Sequence, residues 1–441
     1  MAIAVDPKIT HIAGRIMMTR RGSALTALLA AVLALSACAK GDGGGGGGGV
    51  PEGETLIVGI DLPMQGASKD ASEATVNAMR LYLEQQGGKA GKYKIELKVY
   101  DDSTAAKGAW DDATCAKNAQ DHVANAKEVA VMGTYNSGCA KIEVPVLNQD
   151  PNGPLLMISH ANTNPGLTKS WDPGEPDKFY PTGKRNYARV ITTDDYQGTA
   201  AAQFTAKDLK VKRCAVLNDN QTYGQGVAKA FVDEAKRQGI EILGNDAWDS
   251  KQPNYTALFT NIKGKNPDCV YVGGIFDNNG GQLVKDKVKI LGDNDTVKLI
   301  GPDGFTGYPD LDKLAEAQGM YMTFAGLASE QLRAAGGTGG AFLDAYKAKY
   351  GADPATNYAL YGVLALQVIM QAIEKSDGTR KSVNDQIFGG EGISVSGSTS
   401  MLGKDVKIDP KTGDVNVRDI SVLIMKDNTE AFHKAWPLSV S

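Results

Sequence analysis

Histidine is scarce in this sequence, with four in 441 residues, and there are only five cysteines. The histidines are scattered and the cysteines lie far apart, so no zinc-ligand spacing can be read and neither a metal nor a cofactor is expected. No Walker A loop, G-x-S-x-G elbow or H-E-x-x-H helix is present, so nothing nominates a catalytic centre. The turn Gly224-Gln225-Gly226 lacks the third glycine of a dinucleotide fingerprint. An enzyme is not expected. Lys and Arg number 47 against 51 Asp and Glu, a net charge of −4 with no basic stripe, which argues against a nucleic-acid partner. Long apolar runs are also missing. The longest after the N-terminal region, VLALQVIMQAI (363–373), contains two glutamines and reads as a buried helix, well short of the roughly 20 residues a membrane span needs.

The N-terminal region is unusual in what it does contain. Arg20 and Arg21 precede a short apolar stretch, ALTALLAAVLALSA (24–37), then Cys38 and, at 43–49, seven consecutive glycines. Basic flank, short apolar core and small residues before a cleavage point describe a secretory signal over 1–37, its start set by Met17 or Met18 if the assigned one is over-long. Leu35-Ser36-Ala37-Cys38 resembles the bacterial lipobox, which implies that Cys38 is lipidated and anchors the chain. The alternative is an ordinary cleaved signal beside which Cys38 happens to stand. The glycine run cannot pack, so 38–53 is expected to be a flexible leash. The chain beyond this leash is expected outside the cytoplasm, held at the outer face of the cytoplasmic membrane.

About 390 residues remain after the leash, enough for two cores. Nearly continuous apolar runs at 56–62, 95–101, 129–135 and 155–159 predict strands, with helices at 72–86, 107–126 and 138–149. After a Pro/Gly/Asp-rich stretch (171–184) the alternation restarts, with strands at 214–219, 240–245, 269–274 and 297–302. Its helices fall at 198–209, 225–238, 255–264 and 280–291. Strands apolar on both faces, alternating with helices, imply parallel sheets covered on both sides, hence two α/β lobes. Helices near 340–349 and 355–375 and a strand at 421–427 complete them by crossing back.

Ligands in open parallel sheets sit beyond the carboxyl ends of the strands, and four strand ends here are polar. Ser137 lies where a strand in GTYNSGCAKIEVP (133–145) turns into a helix, placing a hydroxyl beside free N–H groups able to hold a carboxylate. ISHANTNPGLT (158–168) carries Ala161 and Thr163. NDNQTYGQG (218–226) puts Tyr223 at a helix start, and IGPDGF (300–305) puts Asp303 just past an apolar strand. Each also has a structural reading: Ser137 as a helix cap, Thr163 as a turn former, Tyr223 as core, Asp303 as a turn residue.

These stretches, with LIVGIDLPMQG, YDDS, DDYQGTAAAQF and DCVYVGG, resemble in order and over 55–430 the type I periplasmic binding proteins of branched-chain amino-acid ABC transporters. The resemblance implies a two-lobed fold with a hinge of three crossovers, the lobes spanning 54–193 with 325–403 and 194–324 with 404–437. It implies that Ser137 and Thr163 hold the ligand carboxylate, that the Ala161 carbonyl and Asp303 take the ammonium, and that Tyr223 closes over it. Asp303 is a residue shorter than the family's usual glutamate. Two family tyrosines are missing, one of them replaced by Ile275, so the side-chain pocket differs and leucine specificity is not implied. The family's disulfide positions correspond to Thr104 and Asn136. Cys115 and Cys139 adjoin them, so a shifted bridge is expected there; Cys214 and Cys269 are either a second bridge or two buried thiols. The expected partners are an amino-acid-like ligand, an ABC permease and its ATPase subunits, with the binding protein a monomer. A sensor of the same fold, recognising an amide or urea-like solute, is the alternative.

Overall fold

The computed structural model describes residues 49–438; the signal and most of the leash, Cys38 included, lie outside them. Two sheets organise the chain. The first has six strands in the order Lys89–Ala90, Tyr93–Asp101, Thr55–Leu62, Glu128–Gly133, Leu156–Ser159, Tyr187–Arg189. All neighbours are parallel except the Lys89–Ala90 edge. The second has seven, Glu241–Ala247, Arg213–Asn218, Cys269–Gly273, Lys298–Gly301, Tyr321–Phe324, Ile420–Lys426 and Thr429–Trp436, the last two joined antiparallel. The central strands are buried along nearly their whole length, as their unbroken apolar composition requires of strands packed on both faces.

The chain passes between the sheets three times: after Arg189, after Phe324 and before Ile420. Val406–Lys407 pairs with Ser394–Val395 in a small ribbon, and first-lobe residues hold the chain on both sides of it: Gln367 Nε2 donates to the Thr399 carbonyl and Arg189 N to the Gly413 carbonyl. The third crossing therefore lies beyond Lys407, C-terminal to the 403–404 boundary expected from sequence.

Helix Tyr358–Lys375 is buried from Tyr358 to Met370 without a break. Its glutamine Gln367 is tolerated there because both ends of its amide are used: Nε2 donates to the Thr399 carbonyl at 2.7 Å and Oε1 accepts from Met401 N at 3.3 Å. No helix among the described residues is long and apolar enough to cross a membrane. The helix expected over 107–126 begins only at Asp112, because Ala109–Trp110 pairs with Ser103–Thr104 and Asp111 caps the helix. The Asp111 carboxylate accepts from Ala113 N at 3.1 Å and Thr114 N at 3.2 Å. Both pairs of cysteines are bridged, Cys115 to Cys139 and Cys214 to Cys269. The second bridge joins paired residues of neighbouring strands, which settles the choice left open for those two cysteines.

Candidate functional site

The polar strand ends converge between the lobes. Two loops of the first lobe, 134–137 and 159–164, are stitched together by buried side chains. Ser159 Oγ donates to the Thr134 carbonyl at 2.9 Å and accepts from Asn162 N at 2.9 Å. Asn162 Nδ2 donates to the carbonyls of Thr134 and Tyr135, at 2.8 and 3.1 Å. From below, the fully buried Arg189 donates Nη1 to the carbonyls of Asn162 and Asn164, each at 2.9 Å. Its charge is met by Asp414, 2.9 Å from Nε, as a guanidinium without water requires. Arg189 thus fixes the backbone on either side of Thr163.

Asn136, not Ser137, is the N-cap of helix Ser137–Asn148. Ser137 stands in the first turn of the helix, where its hydroxyl accepts from Asn164 N at 3.3 Å, and Asn136 and Ser137 both border the cleft cavity. The reading of Ser137 as the cap itself is therefore replaced.

The second lobe supplies Asp303, about 1% exposed. Its Oδ1 accepts from Gln197 Nε2 at 2.7 Å and from the Tyr223 hydroxyl. Its Oδ2 accepts from the hydroxyl of Tyr358, which belongs to the first lobe. Tyr223 in turn accepts from Gly304 N at 3.0 Å. Burial pushes the Asp303 carboxyl up to about 6, although the two tyrosine hydroxyls favour its ionised form. Burial, then the Asp303 charge, raises both tyrosines. Nearby Asp194, its carboxyl oxygens without a partner among the described residues, is held well above the usual carboxylate range by burial and by Asp303.

A cavity of about 20 Å³ remains between these groups, room for about one water. Ser137, Ala161, Tyr223, Ile275 and Asp303 all border it. Thr163 does not: it is buried beside the cavity, its carbonyl accepting from Asp194 N at 2.9 Å and its hydroxyl unpartnered among the described residues. Sequence reasoning missed Tyr135 and Tyr358, which border the cavity too, and Gln197. Gln197 sits inside the DDYQG stretch, so that signal was there; Tyr358 comes from the C-terminal tail, where only the crossing back of the chain could have pointed to it. At the cleft mouth Trp110, Cys115 and Cys139 of the first lobe pack on Tyr223, Val227 and Ile275 of the second. Beside them Ser68 N and Oγ donate to Asp277 Oδ1 across the lobes, at 3.1 and 2.9 Å.

Two α/β lobes joined by three crossings, with polar strand ends meeting in a buried cleft, define a bilobal solute-binding protein. Residues 55–422 match the family model for periplasmic binding proteins, and the chain belongs to that family. It is a solute-binding protein of the extracytoplasmic type and not an enzyme. It is 29% identical over 291 residues to a Leu/Ile/Val-binding protein of Rhizobium johnstonii, covering 64% of this chain and 67% of that one. It is 25% identical over 330 residues to a leucine-, isoleucine-, valine-, threonine- and alanine-binding protein of Pseudomonas aeruginosa, covering 73% and 79%. Among solved structures, a leucine-binding protein from Thermotoga maritima superposes with a TM-score of 0.71 at 20% identity, covering 86% of this chain and 98% of that one. A solute-binding protein from Rhodopseudomonas palustris in complex with p-hydroxybenzoic acid superposes equally well, TM-score 0.71 at 18% identity, covering 87% and 98%.

Proposed function

We propose that the protein captures an amino acid, branched-chain or related, and delivers it to an ABC permease and its ATPase subunits. The observation that carries this reading is Asp303, a buried carboxylate at the cleft with no Lys or Arg ion-paired to it among the described residues. A buried anion needs a cation, and a ligand ammonium supplies one. The opposite end of the ligand, its carboxylate, is received by the Ser137 hydroxyl and the N–H groups of the helix start, with the Ala161 carbonyl assisting at the ammonium; the Thr163 hydroxyl, which does not border the closed cavity, joins them only once the lobes have parted. A cavity of about 20 Å³ is far smaller than an amino acid, so capture entails the lobes parting about their crossings and closing over the ligand. The lobes act as the units near 54–193 with 325–403 and 194–324 with 404–437, the last boundary lying beyond Lys407. The working form is a monomer tethered by lipidated Cys38 at the outer face of the membrane.

A second reading, an aromatic carboxylate, has one observation in its favour: Tyr135, Tyr223 and Tyr358 ring the cavity. It leaves Asp303 without a cation, and the amino-acid reading is preferred for that reason. A sensor for an uncharged amide would also leave the charge unmet. Isothermal calorimetry with branched-chain amino acids, 4-hydroxybenzoate and urea separates the three; binding of the amino acids alone is expected.

A further inference from the structure

Behind the turn that presents Ser137, the first lobe buries a group of ionisable side chains that ligand binding does not use. Asp61 is the penultimate residue of the first strand, His122 lies on helix Asp112–Ala124, and Glu143 lies on helix Ser137–Asn148. All three are completely buried, and their ligand-capable atoms lie within 4.8 Å of one another. His122 Nε2 faces Asp61 Oδ2 at 3.0 Å, while its Nδ1 is bonded to the buried carboxylate of Glu128. Glu128 is itself fixed by the Tyr100 hydroxyl at 2.7 Å and Asn125 Nδ2 at 3.1 Å. Asn118 Nδ2 holds the other Asp61 oxygen at 3.1 Å.

Glu143 is the anomaly. One of its oxygens accepts no N–H or hydroxyl among the described residues, and the one group it can share a proton with is the Asp61 carboxyl. The other lies 3.4 Å from Cys139 Sγ, which is in the disulfide and has no proton to donate. Asp102, equally buried and next to the same disulfide, has both oxygens unpartnered among the described residues. Orphaned buried carboxyl oxygens are costly and ask for an explanation.

We propose that Asp61, His122 and Glu143 form a site for one divalent cation of the zinc class. An imidazole nitrogen with carboxylates is a donor set that zinc accepts. Two donors on a tetrahedral zinc stand ~3.3 Å apart at ordinary bond lengths, close to the 3.0 Å between His122 Nε2 and Asp61 Oδ2. Glu128 fills the outer role: accepting from Nδ1–H, it fixes the tautomer that leaves Nε2 free for the metal. Gly59 makes room for that pair, since a Cβ there would stand 2.2 Å from Glu128 Oε1 and 3.0 Å from His122 Cε1. Asp102, beside the disulfide, lies outside this group of three, so the remaining position on the cation is left to a water. The cation ties the first strand to both helices that the Cys115–Cys139 bridge already joins, so it stakes the floor under Ser137. The sequence hides the site because its ligands come from three separated stretches with a single histidine.

Because every donor is buried, the cation enters as the lobe folds. The test is to produce the untagged full chain by export in zinc-supplemented medium, purify it through EDTA, and measure metal by ICP-MS. About one zinc per chain is expected, falling at least tenfold in both Glu143→Gln and Asp61→Asn. Fewer than about 0.1 zinc per chain in the unmutated protein overturns the proposal and leaves a group that shares protons only. Retention unchanged by both substitutions overturns it equally, since the metal is then elsewhere. Should the variants fail to accumulate, the unmutated chain produced in cobalt decides: visible d–d bands of a four-coordinate ion are expected, and their absence refutes the site.

Discussion

Tyr358, at the start of a first-lobe helix, donates its hydroxyl hydrogen to Asp303 of the second lobe. That one bond ties the tail of the chain to the acid at the centre of the cleft. Replacing Tyr358 by Phe keeps the ring packing on Tyr135 and Phe324 and removes only the hydroxyl. A hydrogen bond to a charged group is worth about 1.5–3 kcal/mol, so the balance between closed and parted lobes is expected to shift by about tenfold or more toward the parted form. Small-angle scattering checks this; an unchanged radius of gyration would mean that the hydroxyl does not hold the lobes.

Asp303→Asn preserves shape and removes charge. Leaving the ligand ammonium buried without its partner typically costs about 2–5 kcal/mol, a loss of at least about thirtyfold in affinity by calorimetry. A dissociation constant equal to that of the unmutated protein would make Asp303 a turn residue and favour an uncharged solute.

The pH dependence of affinity has a definite sign. Burial raises the Asp303 carboxyl to about 6, and an ammonium ligand prefers it ionised. Affinity should be level above that value and fall by about tenfold per pH unit below it. For the protein alone the direction reverses. The folded carboxyl holds its proton to higher pH than the unfolded one, so this group favours the folded state most at low pH, and that contribution declines as pH rises from about 4 to about 6. Titrations at pH 5 and 7 check the binding half; stronger binding at pH 5 would contradict it.

Cys115 and Cys139 are bridged across 24 residues of sequence, and the bridge packs on Tyr223 and Ile275 at the cleft mouth. The double substitution of both by Ser is expected to lower stability by about 2–4 kcal/mol in urea unfolding, and to weaken ligand binding as well, because the helix bearing Ser137 loses its tie. Loss of stability with binding intact would confine the bridge to a structural role.

Cys38→Ala should release the protein from the membrane fraction. Two acyl chains are needed for firm attachment, so quantitative retention of the variant would rule out a lipid anchor at Cys38.

Much of the fold could be read because buried parallel strands are written as unbroken apolar runs. Thr55–Leu62, Glu128–Gly133 and Cys269–Gly273 are of that kind. The strand Thr429–Trp436 was not legible: it forms the sheet edge, is half exposed, and has no apolar run to mark it. Tyr187–Arg189 is three residues long and comes after a Pro/Gly-rich stretch, so it too left no signature. In the site, Ser137, Tyr223 and Asp303 were visible as polar residues closing apolar strands or opening helices. Tyr358 was not, since its place depends on the tail returning between the lobes. Arg189 was hidden by the same kind of distance: its ion-pair partner, Asp414, lies far along the chain.

The central claim is that Asp303 meets an ammonium group, and a matched pair of ligands tests it most directly. Calorimetry on the unmutated protein should compare whichever branched-chain amino acid binds best with the same carboxylic acid lacking its amino group, and with 4-hydroxybenzoate. The deaminated acid and the benzoate are expected to bind at least about thirtyfold more weakly than the amino acid. Equal or tighter binding of either one would contradict the claim.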